Sequence, residues 1–260
     1  MTPEAGLSRD AMLGGRLQVW QPRTGYRAAT DPVLLAAFVP ARGAERVLDL
    51  GCGAGTAGLC LARRVPGIEL HGLEIQPAYA DLARRNAREN AIAMTVHEGD
   101  LRAMPAALRA LDFDHVLLNP PYHGAGTATP ARDAGRDAAH REGAAGLAEW
   151  IATGVRRLRP GGTITIIQRS ARLGEILAAL EKGCGAVEVL PLAARADRPA
   201  GRILVRARKA RRTALVLHYP LTLHTGNAHL RDGNDYTEQA EAVLRDMKEL
   251  AIGGILPNAR

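Results

Sequence analysis

Residues 119–122, Asn119-Pro120-Pro121-Tyr122, carry the clearest chemistry in this 260-residue chain. The two prolines remove two backbone N–H donors and fix φ at both positions. Asn119 precedes a proline and is pushed to extended geometry. What remains is a stiff edge of acceptors, the Asn119 side-chain oxygen and the Pro120 carbonyl. Such an edge suits a group that donates two hydrogens, a planar –NH2. Tyr122 adds a face on which a flat base or amide can stack. In isolation the tetrapeptide would read as a proline-stiffened surface turn. Here it follows an apolar run, 113–118, of the kind that forms a buried strand.

A second constellation lies upstream. Residues 49–55 read DLGCGAG and follow the apolar run 46–50. Glycines at the carboxyl end of a strand let the backbone turn sharply and approach a ligand closely. Residues 53–58, GAGTAG, also satisfy the dinucleotide pattern GxGxxG, but the register is wrong for it. Counted from Gly51, the third glycine position falls on Thr56, and Asp49 beside the loop repels a pyrophosphate. A carboxylate there fits a cationic or hydroxyl-bearing ligand. Two further acids close strands: Glu74, placed for a ribose diol, and Asp100, placed for an adenine amine. Any one of them alone is as readily a solvated loop acid; three at successive strand ends beside one glycine loop is a tighter coincidence.

The elements that must position these residues alternate. Strands are predicted at 46–50, 68–74, 94–98, 113–118 and 163–168. Helices are predicted at 56–65, 77–90, 103–111, 147–158 and 173–180. This rhythm predicts a parallel sheet covered on both faces. Three β-rich pieces without helices, 186–192, 202–208 and 213–219, predict an antiparallel edge. Before the first strand, 16–21 alternates apolar and polar residues, and Pro22-Arg23-Thr24-Gly25 has turn chemistry, so a small hairpin is expected there. Asp31 reads as an N-cap with Pro32 at the first helical position. Residues 1–44 read as an extension packed on a main domain spanning 45–260.

Composition narrows the class. Apolar residues make 47% and charged residues 23% of the chain, as in globular proteins, which excludes collagen-like and disordered readings. No apolar run reaches the ~18–20 residues of a membrane span. No secretory leader is recognisable, so the cytoplasm is the expected compartment. The three cysteines, Cys52, Cys60 and Cys184, contain no CxxC, which supports neither a disulfide framework nor a zinc site. The net charge of +7 is nearly all arginine and gives modest support for a polyanionic partner.

Taken together, DLGCGAG, Glu74, Gly99-Asp100-Leu101 and NPPY resemble the class I S-adenosylmethionine-dependent methyltransferases that modify exocyclic or amide nitrogens. Residues 14–37 (GGRLQVWQPRTGYRAATDPVLLAA), 213–218 (TALVLH) and 236–246 (YTEQAEAVLRD) further resemble the bacterial tRNA1(Val) adenine-N6 methyltransferase family. His123 departs from the family pattern, in which an aromatic often follows NPPY. The resemblance implies an α/β, Rossmann-like fold with a mostly parallel seven-stranded sheet and an antiparallel C-terminal edge. It implies S-adenosylmethionine as cofactor, S-adenosylhomocysteine as product and no metal. Asp49, Gly51, Gly53 and Gly55 would hold the methionine portion, Glu74 the ribose, and Asp100 with Leu101 the adenine. Thr30 and Asp31 would touch the methionine end, a plain helix cap being the alternative. Asn119 and Pro120 would grip the target amine, with Pro121 stiffening the lip and Tyr122 stacking on the ring. The implied partner is tRNA at the anticodon loop, with no obligate protein partner.

The glycine-rich stretch 123–143, with Arg132, Arg136 and Arg141, follows NPPY and reads as a substrate-side segment. Arg206 and Arg208 share one strand face by period two and read as phosphate contacts, or else as a solvated edge. Tyr26, Arg27, His123, Arg132, Arg206 and Arg208 are thus the candidate RNA contacts. His218, His224 and His229 have no recognisable metal spacing. Three other functions compete. A protein-glutamine methyltransferase acting on release factors also carries NPPY but usually brings a larger helical N-terminal domain. A nicotinamide dehydrogenase rests on GAGTAG alone, and a catalytically silent RNA-binding module on charge alone.

Overall fold

The computed structural model describes residues 6–25, 27–122, 145–226 and 235–250. Seven full-length strands form the sheet: β3 (Arg46–Leu50), β4 (Glu69–Glu74), β5 (Met94–Glu98), β6 (Phe113–Leu118), β7 (Leu158–Arg169), β8 (Cys184–Ala193) and β9 (Arg202–Lys209). Two strands of two residues, β10 (Val216–Leu217) and β11 (Leu221–Thr222), add to β8. The order is β10-β8-β9-β7-β6-β3-β4-β5. The expected mostly parallel sheet is present, with one difference at its end. Among the described residues only β9 runs antiparallel in this sheet, inserted between β7 and β8, and the edge strands β10 and β11 run parallel to β8. The expected strand at 213–219 is therefore short, and Pro220 interrupts the chain before it resumes as β11.

Helices cover both faces. α1 (Thr30–Phe38), α2 (Thr56–Arg64), α3 (Pro77–Glu89) and α7 (Glu238–Asp246) pack over one face, around a core that includes Leu34, Phe38, Leu59 and Val243. α4 (Ala106–Arg109), α5 (Leu147–Arg157) and α6 (Leu173–Glu181) cover the other, around Leu108, Phe113, Ile151 and Ile176. The predicted helix at 103–111 divides into a 3-10 turn, Leu101–Ala103, and the short α4, with Pro105 between them. Among the described residues no helix is long and apolar enough to cross a membrane.

The N-terminal hairpin exists, but its turn lies elsewhere. β1 (Leu7–Met12) pairs antiparallel with β2 (Leu17–Pro22) through a turn at 13–16, where Leu13, Gly14 and Gly15 have positive φ. Pro22-Arg23-Thr24-Gly25 instead leads out of the hairpin. The free edge of β2 is satisfied by a helix. Asn86 of α3 and Asn90, its C-cap, bond the backbone N–H and C=O of Trp20 and Gln18 at 2.7–3.1 Å. Four residues of helix advance ~6 Å and two of strand ~6.6 Å, so the two asparagines match the strand repeat.

Asp31 is not the N-cap of α1; Ala29 is, and Asp31 sits inside the first turn. α1 lies along β9, buried from Pro32 to Phe38. Its start meets Arg202 and its end meets Arg206, whose guanidinium donates to the Phe38 carbonyl at 3.0 Å. Four strand residues span ~13 Å and the helix from 31 to 38 rises ~11 Å, so the two elements match in length.

Candidate active site

The strand order reverses beside β3: β4 and β5 lie to one side, β6 and β7 to the other. A crevice is expected beyond the carboxyl ends at such a point. A cavity of about 450 Å³ opens there. Its wall includes Asp49 near the end of β3, Gly51 and Gly53 just after that strand, Glu74 at the end of β4, Asp100 and Leu101 after β5, and Asn119 to Tyr122 after β6. Thr30 and Asp31 of α1 close it from the extension. Residues predicted from four separate strand ends thus share one cavity.

The glycine loop is folded back onto β4. The N–H groups of Gly51 and Cys52 both donate to the Leu73 carbonyl, at 2.8 and 3.0 Å. Gly51 has φ +77°, and a Cβ there would lie 2.5 Å from the Trp150 ring. Glycine is thus required twice, by backbone conformation and by the indole packed against it. Gly55 differs from the expectation. It is absent from the cavity wall and starts α2 at φ +84°, where an added Cβ would press on Ala83 at 3.3 Å.

The two inner acids are buried and held by backbone donors. Asp49 is 2% exposed and accepts from the Gly58 N–H at 2.9 Å. Burial pushes its carboxyl up to about 7, opposed by the Gly58 bond and reinforced by the Glu74 charge. Glu74 accepts from Gly53 N–H at 2.8 Å and Gln76 N–H at 2.9 Å, and burial raises its pKa against these bonds. Each carboxylate oxygen has capacity for a further donor. Asp100 is different. Arg102 grips it at 2.6 Å, and its carboxylate caps the 3-10 turn through Arg102 N–H, which together hold its pKa below the usual range.

The lip at 119–122 is braced from β7. Gln168, fully buried, donates Nε2 to the carbonyls of Pro120 and Pro121 at 3.4 and 3.3 Å. Its Oε1 accepts from the Arg169 N–H at 2.9 Å. The Pro120 carbonyl is therefore already approached by one donor and keeps a second lone pair. The Tyr122 hydroxyl donates to Asp31, which also receives the Arg202 guanidinium. The sequence reading missed Gln168, Trp150 and Arg202. Each reaches the site through packing or strand register rather than through a motif.

The proposed RNA contacts fare unevenly. Arg27 lines the cavity, but its guanidinium is paired with Asp10 at 2.8 Å and with Ser8. Arg206 is a structural cation: it forks onto Glu188 at 2.9 Å, covers the Phe38 ring and caps the end of α1. Arg208 is exposed but sits opposite Thr163, at the start of the sheet's parallel run and the far end from the cavity. β9 runs antiparallel, so its first arginine, Arg202, faces the site and the later ones recede from it. Tyr26, His123, Arg132 and the stretch 123–143 lie outside the described residues, as does His229. His218 and His224 pair with Glu188 and Asp235, at 3.3 and 2.7 Å. Among the described residues no cluster of His, Cys, Asp or Glu has the makings of a metal site.

The donor set fits an S-adenosyl ligand. Two buried carboxyls whose pKa burial raises, each with lone pairs to spare, call for cationic or hydroxyl donors. The Trp150 indole N–H is buried with no partner among the described residues, and the loop beneath it leaves no space for a Cβ at Gly51.

Known proteins give the same class. A family model described as the methyltransferase small domain matches residues 29–195. A tRNA1(Val) (adenine(37)-N6)-methyltransferase from Aeromonas hydrophila is 33% identical over 189 residues, covering 71% of this chain and 77% of that protein. A protein of the same name from Yersinia pestis is 36% identical over 124 residues, 46% of this chain and 49% of its own length. Among solved structures, one from Agrobacterium tumefaciens, described as a predicted O-methyltransferase, aligns with a TM-score of 0.65 at 30% identity, over 82% of this chain and 94% of that one. A Thermus thermophilus 16S rRNA methyltransferase, solved with AdoMet and guanosine, shares the fold at a TM-score of 0.55 and 24% identity, over 78% of this chain and 50% of its own. With the family model spanning well over half of its length, this chain belongs to the methyltransferase small domain family.

Proposed function

We propose that the protein transfers a methyl group from S-adenosylmethionine to the exocyclic N6 amine of an adenosine in tRNA, at position 37 beside the anticodon. One observation carries this reading: the Asn119–Tyr122 lip opens on the same cavity as Asp49 and Glu74. An amine acceptor and a cofactor cradle therefore face one space. The printed names of the Aeromonas and Yersinia relatives supply the substrate. The resemblance of 14–37 extends to the hairpin and α1, which we read as an extension, 1–44, on a catalytic domain, 45–260. The asparagine bonds from α3 to β2 support that division. We place the activity in the cytoplasm, where such tRNA is found.

In this mechanism Asp49, Gly51 and Gly53 hold the methionine portion, with Thr30 and Asp31 at its end. Glu74 takes the ribose hydroxyls, and Asp100 with Leu101 takes the adenine. The cofactor supplies a methyl on a sulfonium, a good leaving group, and the chemistry needs no metal. An aniline-like amine is a poor nucleophile because its lone pair is delocalised into the ring. Asn119 Oδ1 and the Pro120 carbonyl accept its two hydrogens, which favours a pyramidal nitrogen with its lone pair aimed at the methyl. Tyr122 stacks on the ring and fixes its plane. Such positioning can supply ~7–11 kcal/mol of the barrier. The proton leaves to water after transfer. The base must be unstacked, at a cost of a few kcal/mol, roughly least in a loop.

Replacing Asn119 tests the division of labour. Asn119→Ala is expected to abolish transfer to tRNA while S-adenosylhomocysteine affinity, by calorimetry, stays within about threefold, because an acceptor on the substrate side adds to the transition state and not to cofactor binding. Parallel loss of cofactor affinity would remove Asn119 from the substrate side.

A further inference from the structure

Three residues far apart in the chain meet at the mouth of the cavity: Asp31 on the first turn of α1, Tyr122 at the end of the lip, and Arg202 at the start of β9. The Tyr122 hydroxyl donates to one oxygen of Asp31 and the Arg202 guanidinium to the other. We propose that Arg202 is a positioning residue which, through Asp31, holds the Tyr122 ring, and so the base stacked on it, in place. The proposal rests on the reading of Tyr122 as the stacking face.

The geometry supports this in three ways. First, Pro120 and Pro121 stiffen the backbone up to Tyr122, and a bond at the hydroxyl holds the far end of the ring, so its long axis is pinned at both ends. Second, Asp31 is a firm anchor. Its helix is buried from Pro32 onward, and a carboxylate in the first turn interacts favourably with the helix N-terminus. Third, Arg202 stands directly opposite Arg169 in the β7–β9 register, with Arg169 5.9 Å from the centroid of the Tyr122 ring. Like charges directly opposite each other destabilise a sheet. Asp31 offsets that cost, and its other oxygen ends on the catalytic tyrosine. The side chains of Arg202 and Asp31 are only 29% and 17% exposed, so the pair is shielded from the solvent that weakens surface ion pairs. The clasp also makes the N-terminal extension part of the catalytic centre.

The test has one arm free of any substrate. The full chain is labelled with tyrosine carrying ¹³C at Cζ, and Tyr122→Phe identifies the Tyr122 signal. Arg202→Met and Asp31→Asn are both expected to move that signal more than any other tyrosine's; an unmoved signal in Arg202→Met overturns the proposal. In the second arm, with labelled S-adenosylmethionine and tRNA, Arg202→Met lowers kcat by about 10²-fold, as misplacement does. S-adenosylhomocysteine affinity stays within about threefold, and Tyr122→Phe combined with Arg202→Met is no worse than the poorer single variant. Arg202→Lys, which keeps the charge but loses the fork, falls between wild type and Met. Cofactor affinity falling in step with kcat would make Arg202 a cofactor ligand and end the proposal, as would losses that multiply in the double variant. A wild-type chain inert on tRNA would refute the proposed function instead, leaving the signal shift to decide the clasp.

Discussion

Asp49 is an acid that the fold keeps near its titration midpoint at neutral pH. Burial raises its carboxyl to about 7, against an unfolded value of about 3.9. The stabilising effect of the neutral form is complete below about pH 4 and is lost as pH rises through about 7. Cofactor binding runs the other way, because cationic and hydroxyl donors favour the ionised carboxylate. S-adenosylhomocysteine affinity is therefore expected to rise between about pH 6 and 8 with release of a proton, visible as a buffer-dependent heat in calorimetry. Asp49→Asn should flatten that dependence, and an affinity equally pH-dependent in the variant would contradict the assignment. Residues of this kind were legible in the sequence because each sits where its own strand ends: Asp49, Glu74, Asp100 and Asn119 need only the local chain to reach the crevice. Trp150, Gln168 and Arg202 were not. Trp150 acts by filling the space above Gly51, and Gln168 by reaching 48 residues back to Pro120. Neither relation has a local pattern.

At the scale of elements, the hairpin and the glycine loop are joined by one side chain. Asn86 is fully buried, bonds both backbone groups of Trp20, and donates to the Ala54 carbonyl in the loop at 2.9 Å. Asn86→Ala leaves those groups unsatisfied and is expected to lower stability by about 2–4 kcal/mol in urea unfolding. It should also weaken S-adenosylhomocysteine binding, because Ala54 lines the cavity. A stability loss with cofactor affinity unchanged would separate the hairpin from the site. The misplaced turn has a physical source here. Pro22 to Gly25 is strong turn chemistry, but β1 carries only Leu7, Ala11 and Met12 as apolar residues and does not read as a strand. Its pairing is fixed by β2, which the helix asparagines hold in place. Arg206 illustrates the same limit. Period two put it on one face of β9 with Arg208 correctly, yet only the packing of α1 along that face turns it into a helix cap.

For the molecule as a whole, the net charge of +7 is spread over residues with different tasks. Arg206 is spent on Glu188 and the end of α1, and Arg208 lies at the far end of the sheet. Affinity for tRNA is expected to fall with salt, yet Arg206→Gln and Arg208→Gln should leave the slope of log K against log salt unchanged, with Arg206→Gln lowering the melting temperature. A slope reduced by about 0.7 per variant would return these arginines to the phosphate backbone. In the proposed function the lip and the cofactor cradle act together on a nucleobase amine. The most direct test incubates the chain with methyl-labelled S-adenosylmethionine and, separately, total unmodified tRNA and release factor, followed by mass spectrometry of the nucleosides and peptides. Label is expected in N6-methyladenosine from tRNA and absent with Asn119→Ala; label in a glutamine of the protein substrate, or on any base atom other than an exocyclic amine, would contradict the proposed function.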